Sequence, residues 1–191
     1  MTTLKHRFGI DIDGTVTCPA TLIPHINKQY NINMSINDVT EYDFLSGFPH
    51  PVDRQEFQAW FKENEPYMYE VSELAANAQN VLNAWQKQYE LYYISARGTN
   101  VYDITKNWFD TCNIPYDHIE LIGSHKKIEI AKKHQVEAFF EDKHDNAVEI
   151  AEELKIPVVL FDTPYNRLPV PNNVIRVYNW LEANEWIRKN F

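Results

Sequence analysis

An α/β fold built on a parallel sheet with helices on both faces is predicted by three features of the sequence. Short, almost continuously apolar runs recur along the chain, as strands buried on both faces require. Segments with helical apolar spacing alternate with them, the rhythm of strand–helix–strand units. Residues 18–70 break that rhythm and carry only helical patterns.

The strand candidates, in order, are Phe8 to Asp11, Leu91 to Ser95, Ile119 to Ile122, Ala138 to Glu141 and Val158 to Phe161, with Val174 to Val177 as a further edge strand. Among the helices, Ser72 is placed to cap one carrying Leu74, Ala78, Val81, Leu82 and Trp85. Val101, Ile104, Trp108 and Phe109 repeat the spacing. Ser124 is placed to cap a helix running to about His134. Ala147, Ile150, Ala151 and Leu154 mark another, and Leu181 to Lys189 a closing one. The stretch from Cys18 to Glu70 offers Leu22 to Tyr30, Ile36 to Tyr42 and Val52 to Asn64, the last with Pro66 beyond its end. Its place in the chain makes it a helical insertion, a cap over the carboxyl ends of the strands, where ligands bind in open α/β sheets. The division expected is a core of residues 1–17 and 71–191 and a cap of 18–70.

Composition narrows the function classes. With 18 basic against 27 acidic residues the net charge is −9. That balance argues against duplex nucleic acid as a partner, because phosphate backbones are met by clustered Lys and Arg. A small phosphorylated substrate needs only a local positive site. Cys18 and Cys112 show no metal-ligand or C-x-x-C spacing and read as two free thiols. The seven histidines are scattered, none paired at ligand spacing. No apolar stretch at the N-terminus reads as a signal sequence and no run is long enough to span a membrane, so a soluble, cytoplasmic protein is expected. A homodimer is left open.

Chemistry-bearing residues fall at strand ends. Asp11 and Asp13 are two residues apart after an apolar run, a spacing that turns both to one face of an extended chain. Gly14 then permits a sharp turn and Thr15 can bond nearby main chain. Ser95 closes the second strand and is followed by Ala96-Arg97-Gly98-Thr99. Lys126-Lys127 follows the third strand; with Ser124 as cap, Lys127 takes the third helical position and is favoured, with Lys126 the alternative. Glu141-Asp142 closes the fourth strand, with Asp145 three residues on. Together they place a nucleophile, a hydroxyl, a cation and a metal ligand on one edge of one sheet.

These residues resemble the motifs of the haloacid dehalogenase (HAD) superfamily of phosphotransferases. Asp11-x-Asp13-Gly14-Thr15 resembles the first motif, Ser95 the second, Lys127 or Lys126 the third, and Glu141-Asp142 with Asp145 the fourth. The Ile94-Ser95-Ala96-Arg97 turn and the Glu141–Ala147 segment resemble most the 5'(3')-deoxyribonucleotidase family. The resemblance implies a Rossmann-like three-layer parallel sheet with a cap between the first and second motifs. It implies a Mg²⁺-dependent phosphatase acting on a nucleoside monophosphate, with Asp11 as nucleophile and Asp13 as proton carrier. Mg²⁺ would be held by Asp11, Asp142 and the backbone carbonyl of Asp13. Thr15, Ser95, Ala96 and Arg97 would meet the phosphate, Lys127 would offset its charge, and Asp145 and Glu141 would support the metal. Arg97 has the alternatives of holding a second substrate group or capping a helix. Other readings are a phosphatase for another small metabolite, or a phosphate-binding regulatory domain, against which Asp13 counts, since binding alone needs no leaving-group acid. Tyr42, Phe44, Phe48 and Trp60 in the insertion are candidates to stack on a nucleobase or to form the insertion's own core.

Overall fold

A computed structural model describes residues 5–124 and 126–191. Residues 1–4, part of the stretch read as lacking a signal sequence, and His125, inside the helix expected from Ser124, lie outside them.

Six strands form one wholly parallel sheet: β1 Arg7–Ile10, β2 Glu90–Ser95, β3 His118–Leu121, β4 Ala138–Glu141, β5 Val158–Phe161 and β6 Val174–Val177. Their order is β3-β2-β1-β4-β5-β6. The order reverses on either side of β1, so the crevice for a ligand opens beyond β1's carboxyl end. The helices are α1 Ile23–Tyr30, α2 Arg54–Glu70, α3 Ala78–Trp85, α4 Tyr102–Thr111, α5 Ile128–His134, α6 His144–Leu154 and α7 Trp180–Asn190.

Alternation along the strands sends side chains to two cores. Phe8, Ile10, Tyr93 and Phe140 face Trp85, Phe109 and Trp180 on one side; Tyr92, Ile94, Phe139 and Leu160 face Ala131, Ala147 and Ile150 on the other. The first core is an aromatic network in which Trp180 lies parallel to Phe140 (centroids 5.9 Å apart, 17° between planes), each buried ring contributing of the order of 1.5–3 kcal/mol. Gly9 is required in β1: a Cβ there would enter the ring of Phe139.

The insertion has a small core of its own around Ile23, Ile26, Met34, Val39 and Phe57. Its two connections to the sheet run side by side, Cys18 N–H donating to Glu73 O at 2.8 Å and Ala75 N–H to Val16 O at 2.8 Å.

Three local expectations are corrected. Ser72 caps no helix; its hydroxyl bonds Met68 O, residues 73–75 are taken by the connection just described, and α3 begins only after Asn77, at φ 67°. The α2 helix does not stop before Pro66 but runs through it. Asp53 caps its start, and the buried Met68 and Tyr69 hold the turn beyond the missing amide. Ile36 to Tyr42 yields only one 3-10 turn, Ile36–Asp38, opened by Ser35, whose N–H donates to Asp38 Oδ2 at 2.8 Å, and ended where Val39 becomes extended.

Candidate active site

Strand register builds the site. Ile10 is level with Tyr93 of β2 and Phe140 of β4. Asp11 therefore emerges between the ends of both neighbours, its N–H still bonded to Phe140 O at 2.9 Å. The chain then wraps around Ile12, whose carbonyl accepts from Val16 N–H at 2.9 Å and Thr17 N–H at 3.0 Å. Gly14 makes the turn at φ +74°, and a Cβ on it would collide with Asp142. Trp180 of α7 ties this loop down by donating to Thr15 O at 2.9 Å.

Asp11, Lys127, Glu141 and Asp142 are buried together. Lys127 Nζ lies 2.6 Å from Asp11 Oδ1 and 2.8 Å from Glu141 Oε2. Lys127 precedes α5 as its N-cap residue, not at the third helical position, because α5 begins only at Ile128. Lys126 is exposed, so Lys127 is the lysine brought to Asp11. Glu141 Oε1 accepts from Asn146 Nδ2 and Lys143 N–H, each at 3.2 Å. Asp142 Oδ2 accepts from the Tyr165 hydroxyl at 2.6 Å, whereas its buried Oδ1 has no hydrogen-bond partner.

Three carboxylates against one ammonium leave two formal negative charges in a water-poor space. Burial pushes the Asp11 carboxyl up to about 7, with Glu141 and Asp13 adding to the rise against the pull of Lys127. Burial, then Glu141 and Asp11, drive Asp142 well above the carboxylate range. Burial opposes the charge on Lys127, but Asp11 and Glu141 more than offset it and hold the ammonium charged. The ligand atoms of Asp11, Glu141 and Asp142 lie within 4.8 Å of one another. An all-oxygen, electronegative set with one orphaned buried oxygen fits a hard divalent cation such as Mg²⁺.

Asp13 turns elsewhere. Its two oxygens accept from Arg97, Oδ2 from Nε at 3.0 Å and Oδ1 from Nη2 at 2.7 Å, a bidentate pair. Its side chain stands outside the carboxylate cluster. Ser95 is buried and accepts the Arg97 N–H at 3.2 Å, leaving its hydroxyl proton to donate. Thr15 is wholly buried and its hydroxyl has no partner; Ala96 lines the cavity above. Asp145 points outward, 83% exposed, and bonds His144; the inward contact from that turn is made by its neighbour Asn146.

Over these strand ends lies a cavity of about 740 Å³. The core presents Asp13, Gly14, Asp142 and Tyr165; the insertion presents Tyr42, Phe44, Phe61 and Lys62. Phe44 and Phe61 stack with centroids 6.4 Å apart and 26° between planes. Of the four aromatics singled out in the sequence, Tyr42 and Phe44 line the cavity, while Phe48 and Trp60 pack on Tyr30 at 5.1 and 5.6 Å in the insertion's core.

The segment Thr163-Pro164-Tyr165-Asn166-Arg167, which the sequence leaves as either reaching the site or forming only a turn, does reach it. Tyr165 and Asn166 hold Asp142, the latter donating to its carbonyl at 2.6 Å. They sit in the turn after β5, a strand-end position of the kind the sequence flags. Tyr69 and Thr105, which hold Arg97, gave no such signal.

No family model matches the chain. It is 47% identical over 183 residues to "Putative nucleotidase BH1399" of Halalkalibacterium halodurans, covering 96% of this chain and 93% of that one. It is 47% identical over 184 residues to "Putative nucleotidase YqfW" of Bacillus subtilis, covering 96% and 94%. In fold it is similar to a haloacid dehalogenase-like hydrolase, SP0104, from Streptococcus pneumoniae (TM-score 0.68, 14% identity, 98% and 100% covered). It is also similar to the magnesium-bound "putative HAD-hydrolase YfnB" of Bacillus subtilis (TM-score 0.63, 11% identity, 97% and 100% covered). Among the described residues no helix is long and apolar enough to cross a membrane. The parallel sheet with its buried acidic cluster has the fold of the haloacid dehalogenase-like hydrolases, and the two 47%-identical relatives place the chain in their nucleotidase family.

Proposed function

We propose that this protein hydrolyses nucleoside monophosphates through a phosphorylated Asp11, with Mg²⁺ held by Asp11, Asp142 and the backbone carbonyl of Asp13, and Glu141 in support. The observation that carries the reading is the pairing of Asp11 with Lys127 at 2.6 Å beside the partnerless oxygen of Asp142. A bound Mg²⁺ would supply the charge neutralisation that lets one anion approach another.

Asp11 attacks phosphorus in line, forming a bond from its carboxylate oxygen as the bond to the leaving oxygen breaks. Asp13 gives its proton to that leaving oxygen, then takes one from the water that cleaves the acyl phosphate and restores Asp11. Lys127 aims Asp11 and offsets charge on the phosphoryl oxygens, to which Ser95 donates. The insertion, taken as residues 18–70, chooses the substrate. A volume of about 740 Å³ lies within the roughly 300–1,000 Å³ of small-molecule pockets, and Phe44 with Phe61 offers a flat apolar wall to a base. The relatives' names agree with a nucleotide.

Phosphate release across a panel of nucleoside monophosphates, sugar phosphates and an aryl phosphate tests this. Preference for nucleotides, dependence on Mg²⁺ and loss in Asp11→Asn are expected. A sugar phosphate as the preferred substrate would replace the nucleotide reading while keeping the phosphatase one.

A further inference from the structure

The geometry points to Arg97 as a positioning residue for Asp13, tied to the end of the insertion, and not as a ligand for substrate phosphate. The inference rests on the role of Asp13 proposed above.

The Arg97 side chain has no accessible surface, while that of Asp13 is 31% accessible. Nε and Nη2 of the guanidinium go to the two oxygens of Asp13, and Nη1 donates to Thr105 Oγ1 at 3.0 Å. Thr105 lies on α4 and is itself wholly buried. One face of the guanidinium is covered by Tyr69, whose ring centroid is 3.9 Å from Cζ. A phosphate ligand offers its fork to the cavity. This fork is spent on a carboxylate and a hydroxyl inside the protein, and a planar fork engaged at both edges fixes the carboxylate's orientation as a lysine would not. The result is a proton carrier whose exposed side meets the cavity and whose direction is set from behind.

The anchors come from different parts of the chain. Asp13 is on the loop after β1, Arg97 follows β2, and Tyr69 sits in the last turn of α2, where the insertion returns to the sheet. Any displacement of the insertion that carries Tyr69 is felt by Arg97, and through it by Asp13.

The test compares first-turnover release of the leaving group from a deoxynucleoside monophosphate and from p-nitrophenyl phosphate. The nucleotide leaves as a poor alkoxide that needs a proton; nitrophenolate needs little. In the first turnover only the leaving-group step counts. Arg97→Lys keeps the charge and loses the fork. It is expected to slow nucleoside release by roughly 10–100-fold, as misplacing a reacting group does, with at least about tenfold less effect on nitrophenol release and with KM little changed. In an Asp13→Asn background, itself slowed by roughly 10²–10⁴-fold on the nucleotide, Arg97→Lys is expected to cost less than about twofold more, because residues acting as one unit are not additive. Thr105→Val removes one anchor without touching Asp13 and is expected to reproduce the selective loss at smaller size, so the test stands even where an Arg97 variant folds poorly. Equal losses on both substrates with a raised KM, or full losses that add to those of Asp13→Asn, would overturn the inference and return Arg97 to the phosphate. If Asp13→Asn alone releases nucleoside at the wild-type rate, the proposed role of Asp13 falls, and the role of Arg97 with it. An intact Asp13 effect with no Arg97 effect overturns only the latter.

Discussion

The core beneath the cavity holds charges withdrawn from water, whereas the insertion wall is made of rings and half-exposed polar chains. Asp11, Lys127 and Asp142 are at most 4% exposed, while Tyr42 on the opposite wall is 41% exposed. On the core side each group is held by a short bond to another: Lys127 to Asp11, Tyr165 to Asp142, Arg97 to Asp13. On the insertion side the Phe44–Phe61 pair is held by packing alone, and packing is softer in direction than a charged hydrogen bond. The difference teaches where each task belongs. Stabilising charge as a phosphoryl group transfers needs dipoles and ions fixed beforehand. Discriminating one phosphomonoester from another needs contacts to the rest of the molecule.

Substitutions on the two walls are expected to fail in different ways. The largest effect belongs to Asp11→Asn. It keeps the shape and removes the nucleophile, so phosphate release is expected to fall by ~10⁴-fold or more on every substrate, as for covalent nucleophiles elsewhere, with an unchanged circular dichroism spectrum. A variant with near-normal turnover would move the chemistry away from this wall.

Next in size is Lys127→Met. It leaves Asp11 and Glu141 buried without their shared cation, and breaking such a buried arrangement costs ~3–5 kcal/mol. Denaturant unfolding of the metal-free protein checks this. A loss under ~1 kcal/mol would mean that the pairs contribute like exposed ones.

Tyr165→Phe removes only the hydroxyl that bonds Asp142. Loss of such a support behind a metal ligand typically weakens metal binding by ~10–100-fold, read by calorimetric titration of Mg²⁺. Equal affinities in the two proteins would leave Tyr165 as packing.

The smallest effect sharpens the comparison most. Phe61→Ala is expected to lower kcat/KM for a nucleotide by about tenfold, one lost stacking contact of ~1–3 kcal/mol, and to leave an aryl phosphate almost untouched. Trp60→Ala, one residue away but in the insertion's core, is expected to lower stability by up to ~3 kcal/mol and to affect both substrates alike. Similar behaviour of the two variants would erase the distinction between cavity lining and core.

Much of this was legible in the sequence, for a physical reason. Strands buried on both faces must be apolar throughout, so every acidic or hydroxyl residue closing one, such as Ser95 or Glu141, stands out. The strand ends then share one edge by topology. What stayed hidden depends on direction and not on position. Nothing in the spacing of Arg97 reveals that its fork turns inward to Asp13 and Thr105, since Tyr69, which covers it, is far away in the chain. Lys127 was favoured over Lys126 through a helical position it does not occupy; it is the N-cap of α5, buried against Asp11 and Glu141. The helix through Pro66 was hidden because proline's local penalty was weighed without the packing of Met68 and Tyr69. Among the insertion's aromatics, helical spacing could not separate Phe61, on the cavity, from Trp60, in the core, because adjacent residues on a helix point about 100° apart and both faces are apolar.

The central claim is that Asp11, the residue just after β1, is the one phosphorylated. Quenching the enzyme during turnover with sodium borohydride reduces an acyl phosphate to an alcohol, which converts a phosphorylated aspartate into homoserine. Peptide mass spectrometry of nucleotide-treated, Mg²⁺-loaded protein is expected to find homoserine at position 11 alone, dependent on substrate. Homoserine at Asp13, Glu141 or Asp142, or no conversion anywhere while phosphate is being released, would contradict the account.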